Sequence, residues 1–253
     1  METKDTVQER FGPAAGDYAT SAVHVGGPDL VAMVGAAEAR ASERLLDVAT
    51  GTGHTALAFA PLVGDVVAVD LTEGMLTAAS RLAVERGITN VWFEPADAER
   101  LPFGDGAFNL VTCRYAAHHF PRPLAALREM GRVLKPGGRL LLVDVVSFED
   151  PAADTVLNAI EVLRDTSHVR DHTVGQWRAW FGEVGLEVEE LGSFPLRLEF
   201  APWVARMRTP PVAVEAIRAL LAAVPGSVRE ALRVEGDGTF TAPVALLRGG
   251  KSG

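Results

Sequence analysis

Along this chain, short unbroken runs of Leu, Val and Ala alternate with longer stretches whose apolar residues return every three or four positions. Runs of the first kind lie at 45–48, 66–70, 91–93, 108–113 and 139–146, and each reads as a strand. Their apolar character is mostly continuous rather than alternating, as expected of strands covered on both faces in a parallel sheet. Helical patterns follow at 55–62, 72–87 and 123–134. In the second of these, Thr72 is placed to cap the N-terminus and Glu73 suits the first turn. Leu76, Ala79 and Ala83 then share one face, and Gly87 ends the helix. Pro136-Gly137-Gly138 is expected to force a turn before the fifth strand. Strand–helix alternation of this kind predicts a doubly wound α/β fold.

The flanks are less regular. Residues 1–43 are expected to be helical, with 1–40 a cap ahead of a main domain over 41–253. Beyond 150 the pattern predicts helices at 152–165 and 174–184, a sixth strand at 186–191 and a last strand at 239–247. Between those strands, residues 201–235 look helical and are divided by Pro202, Pro210, Pro211 and Pro225. Such an insertion is either a lid or substrate wall, or a patch that only covers the sheet edge.

Composition narrows the function classes. Apolar residues make up 48% of 253, enough for a sizeable core. With 24 Lys and Arg against 33 Asp and Glu, the formal charge is -9 and no basic cluster offsets it, which disfavours a nucleic-acid partner. The single cysteine, Cys113, cannot form an internal disulfide or supply an iron–sulfur site, and its place in an apolar run suits a small buried hydrophobe. No leader-like apolar segment opens the chain, and no run approaches the roughly 20 apolar residues of a membrane span, so a cytoplasmic protein is expected.

The central motif is Asp47-Val48-Ala49-Thr50-Gly51-Thr52-Gly53, set between a strand and a helix. Glycines there let the backbone approach a ligand, and the helix N-terminus offers free N–H groups. Alone, Gly51-x-Gly53-x-x-Ala56 fits a dinucleotide fingerprint equally well. Asp70 ends the next strand, 23 residues after Asp47, where a carboxylate can accept both hydroxyls of a ribose. Asp47 itself lies inside the first strand and, if buried, needs a partner, for which a ligand ammonium would serve and a pyrophosphate would not. Ala96-Asp97-Ala98-Glu99 follows strand three, suited to reading an adenine edge. Leu101-Pro102-Phe103-x-Asp105-x-x-Phe108-Asn109-x-Val111 leads into strand four, and Arg132-Val133-Leu134-Lys135-Pro136-Gly137-Gly138 precedes strand five.

This succession resembles the class I S-adenosylmethionine (SAM) dependent methyltransferases. It is closest to the group containing the ubiquinone/menaquinone C-methyltransferases and many small-molecule methyltransferases. The resemblance spans about residues 40–150. It implies a Rossmann-like seven-stranded sheet whose last strand is antiparallel, with SAM as cofactor. It further implies methyl transfer to a C, O or N atom of a small organic molecule, by a monomer or homodimer. Carried over by position, Asp47, Ala49, Gly51 and Gly53 would surround the methionine part. Asp70 would hold the ribose, Leu71 and Met75 would pack on the adenine, and Asp97 and Ala98 would read its edge. Arg114 and, from the N-terminal segment, Tyr18 and His24 would complete the enclosure. Ala49 stands where the family often has glycine, and a negative φ is expected to accommodate its methyl. Asn109 replaces a common aspartate whose role is structural.

For the chemistry, the segment Arg114-Tyr115-Ala116-Ala117-His118-His119-Phe120 should lie beyond the carboxyl end of strand four, facing the reacting methyl. His118 or His119 can act as a base, at most one of them, because neighbours in a loop rarely point the same way; alternatively each only shapes the pocket. His168 and His172 show no ligand cluster around them, so no metal is expected and both read as solvated surface. Trp177, Trp180 and Phe181 fit a core-facing helix, and Trp203 with Met207 fits a pocket wall or lid packing. Two rivals share parts of this pattern. A nicotinamide-dependent oxidoreductase would leave Asp47 and the three later motifs unexplained. A non-catalytic SAM-binding protein would share every cofactor motif. The aromatic motif of nucleic-acid amino methylation, Asn/Asp-Pro-Pro-aromatic, is absent after strand four.

Overall fold

The structure is a computed structural model, and it describes residues 3–12, 16 and 26–253. Seven strands form one sheet: β1 (Arg44–Val48), β2 (Asp65–Asp70), β3 (Val91–Pro95), β4 (Phe108–Arg114), β5 (Leu134–Val145), β6 (Leu186–Leu198) and β7 (Phe240–Lys251). Their order is β3-β2-β1-β4-β5-β7-β6. The first five run parallel, and β7 inserts antiparallel between β5 and β6. Strand order therefore reverses between β1 and β4, and a crevice opens at their carboxyl ends, where open α/β sheets bind ligands.

The continuous apolar runs have the expected cause. Leu45, Val66, Leu110 and Leu141 face one core, while Leu46, Val67, Val111 and Leu140 face the other. The first core is closed by α2 (Pro28–Ala36), α3 (His54–Phe59) and α6 (Pro151–Arg164), through Met33, Phe59, Leu157 and Ile160. The second is closed by α5 (Pro123–Val133) and α7 (Val174–Glu183), through Leu127, Met130, Trp177 and Phe181. Cys113 is fully buried in this second core. A further helix, α1 (Thr3–Phe11), lies ahead of α2, and α4 (Glu73–Glu85) connects β2 to β3.

Strand boundaries and one helix cap depart from the sequence reading. Pro136-Gly137-Gly138 does not precede β5 but bulges within it: Leu134 already pairs with Phe108, and the register resumes at Arg139 opposite Leu110. Gly137 has φ +74°, and a Cβ on Gly138 would stand 2.8 Å from the Lys135 carbonyl, so both glycines are required there. The sixth strand runs on to Leu198, because β7 continues beside it to Phe240. Thr72 sits at the N-cap of α4 but makes no side-chain cap bond.

The insertion divides at its prolines into α8 (Phe200–Arg206), α9 (Pro211–Ala223) and α10 (Gly226–Ala231). Trp203, Ile217, Leu221 and Val228 from these helices enter the first core. Among the described residues, no helix is long and apolar enough to cross a membrane.

Candidate active site

The crevice between β1 and β4 is lined by Ala49, Gly51, Asp70, Leu71, Met75, Asp97, Ala98 and Arg114. Its floor is the turn that leaves β1. Gly53 has φ +84°, and a Cβ on it would come within 2.9 Å of the Ala79 Cβ, so glycine lets α4 pack against the turn. Gly51 has φ +54° and nothing within 4 Å of where its Cβ would stand, so a side chain there would project into free space beside the crevice. Asp70, at the end of β2, accepts the Gly51 N–H on Oδ2 and the Thr72 N–H on Oδ1, each at 2.8 Å. Burial pushes its carboxyl up, and those backbone donors hold it back. Each oxygen retains a lone pair toward the crevice, the arrangement a vicinal diol needs.

At the end of the crevice beyond β3, Asp97 Oδ1 accepts the Glu99 N–H at 3.0 Å, which fixes the turn after that strand. Helix α1 closes this end. Lys4 Nζ donates to Asp97 at 2.6 Å and to Glu99 at 2.7 Å, and Gln8 Nε2 donates to the Leu71 carbonyl at 2.8 Å. Farther along α1, Arg10 reaches the Met207 carbonyl at 2.8 Å, and Phe11 sets its edge on His119 with ring centroids 4.9 Å apart. The sequence reading missed Lys4 and Phe11, since nothing local ties them to partners about a hundred residues away. Tyr18 and His24 lie outside the described residues.

Two cofactor-side expectations are revised. Ala49 does not take a negative φ; it sits at φ +53°, in the left-handed region that costs a non-glycine residue about 1–2 kcal/mol. The turn geometry demands this conformation, which explains why glycine suits the position. Asp47 and Gly53 do not line the crevice. Asp47 is 1% exposed and accepts the Thr50 hydroxyl at 2.6 Å and the Thr112 hydroxyl at 2.7 Å. Burial pushes its carboxyl up to about 6 against these bonds. The partner that a buried Asp47 requires is thus supplied within the fold, by Thr112 directly opposite it on β4. Arg114, at the end of β4, pairs with Asp29 of α2 at 2.6 Å, both side chains buried.

After β4 the chain turns sharply at Tyr115, φ +53°, into a single 3₁₀ turn over Ala117–His119. Both histidines line a second, smaller hollow, together with Phe11, Tyr115, Glu161, Arg164, Asp171 and Trp203. Their rings lie 4.2 Å apart between centroids. The expectation that neighbours point apart fails here because a 3₁₀ turn folds under the end of β5, crowding both rings into one space. Their states nonetheless differ. His118 Nδ1 donates to Asp144 Oδ1 at 2.6 Å, and its own N–H donates to Asp144 Oδ2 at 3.1 Å. Burial opposes its charge, yet the Asp144 carboxylate outweighs this and pushes the imidazole up to about 9, a cation at neutral pH. His119 is driven the other way, down to about 4, by burial and by the charge of His118. As a neutral ring it donates Nδ1–H to the Ser167 carbonyl at 3.0 Å, which leaves Nε2 as an acceptor. Of the two, only His119 also lines the cofactor crevice.

The segment 165–173 is the second correction on this side. His168 and His172 are 6% and 9% exposed, not solvated. The segment is drawn beneath the histidine turn by Val169 N–H donating to the His118 carbonyl at 2.9 Å and Ser147 N–H donating to the His172 carbonyl at 3.0 Å. Burial keeps both rings neutral. Among the described residues, no cluster of His, Cys, Asp and Glu is suited to a metal ion.

Known proteins place this architecture. The methyltransferase domain family matches residues 46–142. The uncharacterized methyltransferase YcgJ of Bacillus subtilis is 43% identical over 205 residues, 81% of each chain. Its crystal structure superposes with a TM-score of 0.86, covering 89% of this chain and 98% of that one. The ubiquinone/menaquinone biosynthesis C-methyltransferase UbiE of Azotobacter vinelandii is 43% identical over 117 residues, 45% of each chain. The fold alone is shared with a Haemonchus contortus phosphoethanolamine N-methyltransferase solved with SAM, at 17% identity and a TM-score of 0.70, over 100% of this chain and 60% of that one. The chain belongs to the class I SAM-dependent methyltransferases related to the ubiquinone/menaquinone C-methyltransferases, and its cofactor is SAM.

Proposed function

We propose that this methyltransferase acts on a small organic molecule seated beyond His119, with the crevice holding SAM and the second hollow holding the acceptor. The observation that carries this reading is the wall the two spaces share: Phe11, Tyr115 and His119 line both. A methyl leaving the crevice at that wall would enter the hollow. When bound, SAM supplies an electrophilic methyl on a sulfonium, so much of the catalysis is positioning.

In this reading Asp70 takes the ribose hydroxyls, Asp97 and Ala98 meet the adenine edge, and Leu71 and Met75 pack against its faces. Ala49, Gly51 and the end of β4 at Arg114 border the methionine part, with Asp47 and Gly53 acting through the shape of the turn. Where the acceptor must lose a proton, His119 takes it. Its Nε2 is an acceptor at neutral pH, whereas His118 is already protonated. His118, held by Asp144, instead offers a fixed positive charge to an oxygen that becomes negative during the reaction. The assignment narrows the choice between the two histidines by their charge states.

The test is calorimetric titration with SAM, S-adenosylhomocysteine (SAH) and NAD, followed by an acceptor screen read as SAH release. Binding of SAM and SAH without NAD, and turnover on a small molecule, supports the reading. SAM binding with no turnover across a broad screen would favour a non-catalytic SAM-binding protein.

A further inference from the structure

Asp171 is the feature of the second hollow that the methyl-transfer chemistry leaves unused. It is 1% exposed, lines the hollow, and its Oδ2 has no hydrogen-bond partner among the described residues. A buried carboxyl oxygen left in this state is costly unless a ligand meets it. Its position is fixed by the backbone: the Asp171 N–H donates to Asn158 Oδ1 at 2.7 Å, and its carbonyl accepts from Asn158 Nδ2 at 3.3 Å. The other carboxylates around it are matched. Asp144 holds His118 at 2.6 Å, Glu161 faces Arg164 at 3.4 Å, and Asp165 lies 3.7 Å from Arg10. The rest of the lining includes apolar side chains, those of Val145, Leu196, Leu198 and Trp203.

We propose that Asp171 is the polar anchor of the acceptor pocket, taking the hydroxyl of an uncharged molecule whose body lies against the apolar wall. The proposal rests on the methyl-transfer reading above and specifies its substrate side. Charge decides among the candidate partners. An ammonium can only donate, and it would sit beside the His118 cation and the Arg164 guanidinium. A carboxylate can only accept, and it would face Glu161 as well as Asp171. A hydroxyl donates and accepts, so it satisfies Asp171 whether that carboxyl is ionised or, as burial and the nearby Glu161 favour, protonated.

Four monosubstituted benzenes isolate this choice: phenol, toluene, benzylamine and benzoate, each followed by saturation-transfer NMR on the SAH-loaded protein. Phenol should bind best. Asp171→Ala should weaken phenol by about fivefold, the worth of one hydrogen bond, while leaving toluene and SAH affinity unchanged. Asp171→Asn, which keeps the shape and can still bond a hydroxyl, should retain most of the phenol binding. Leu196→Trp, which fills the apolar wall from a half-buried position, should abolish phenol and toluene binding alike without affecting SAH. Preference for benzylamine or benzoate would overturn the proposal, as would phenol binding that ignores Asp171→Ala or Leu196→Trp, or no probe binding to SAH-loaded protein. Those results with SAH still bound strike the acceptor pocket alone. Failure of the unsubstituted protein to bind SAH would strike the methyl-transfer reading beneath it.

Discussion

The crevice proposed for SAM and the hollow proposed for the acceptor share a wall, yet they are built in opposite ways. The crevice is assembled from strand ends and the turns immediately after them: Ala49 and Gly51 after β1, Asp70 at the end of β2, Asp97 after β3, Arg114 at the end of β4. Its polar groups are met mostly by nearby backbone N–H groups, as Asp70 is by Gly51 and Thr72. The hollow draws instead on α1, the 3₁₀ turn, α6, the 165–173 segment, β6 and α8. Its polar groups are met by partners farther along the chain, as His118 is by Asp144 and Arg164 is by the Trp203 carbonyl. Backbone donors are fixed once the strands form, which suits the crevice to the constant cofactor of the proposed reaction. Side-chain partners change with single substitutions, which suits the hollow to the proposed choice of acceptor.

This contrast predicts that damage to one side spares the other. The largest effect is expected in the hollow. His119→Ala should lower turnover on an accepted substrate by about a hundredfold while SAM affinity holds, and His118→Ala should cost less. The pH profile separates their roles. A base that titrates at about 4 is already deprotonated across the neutral range, so kcat/KM should be flat there and fall only as pH drops through that value. A rate rising instead through about 9 would make His118 the base and break the assignment.

Next in size, Asp70→Ala should weaken SAM and SAH binding by about thirtyfold, the loss of two hydrogen bonds at about 1 kcal/mol apiece. Calorimetry that finds unchanged affinity would remove Asp70 from the ribose position. Asp70→Asn, which preserves shape, should fall between the two.

The α1 strap blurs the comparison, because it touches both spaces. Lys4→Ala removes the ion pairs of a partly exposed ammonium to Asp97 and Glu99, and Arg122 still holds Glu99, so SAH affinity should drop by only about fivefold or less, with faster dissociation in stopped-flow. A change in acceptor KM of equal size would mean that α1 couples the two sites rather than closing one.

The smallest effect belongs to Ala49→Gly. Relief of the left-handed strain is offset by the greater unfolded-state freedom of glycine, which leaves a gain of about 1 kcal/mol or less. Thermal unfolding should therefore shift slightly upward, and SAM affinity should change little.

Much of the crevice was legible from the chain because its determinants are local. Continuous Leu and Val runs can satisfy only strands buried on two faces, and Gly51 and Gly53 mark a turn that needs positive φ. The spacing of Asp70 and Asp97 after their strands follows from the same alternation. Register decided the role of Asp47, however, since only the pairing of β1 with β4 brings Thr112 opposite it. The left-handed Ala49 was equally hidden, because the residue type argues against the conformation that the turn imposes. On the other side, the sequence marked His118 and His119 as chemistry-bearing but could not assign their charges. Asp144, 26 residues on, and Ser167, 48 residues from His119, set those states only after β5 and the 165–173 segment pack around the turn. The chain by itself thus determined the sheet, the glycine turn and the cofactor. Tertiary packing alone decided which histidine is a cation, which carboxyl is left without a partner, and what α1 covers, because each depends on burial and on charges brought together from distant segments.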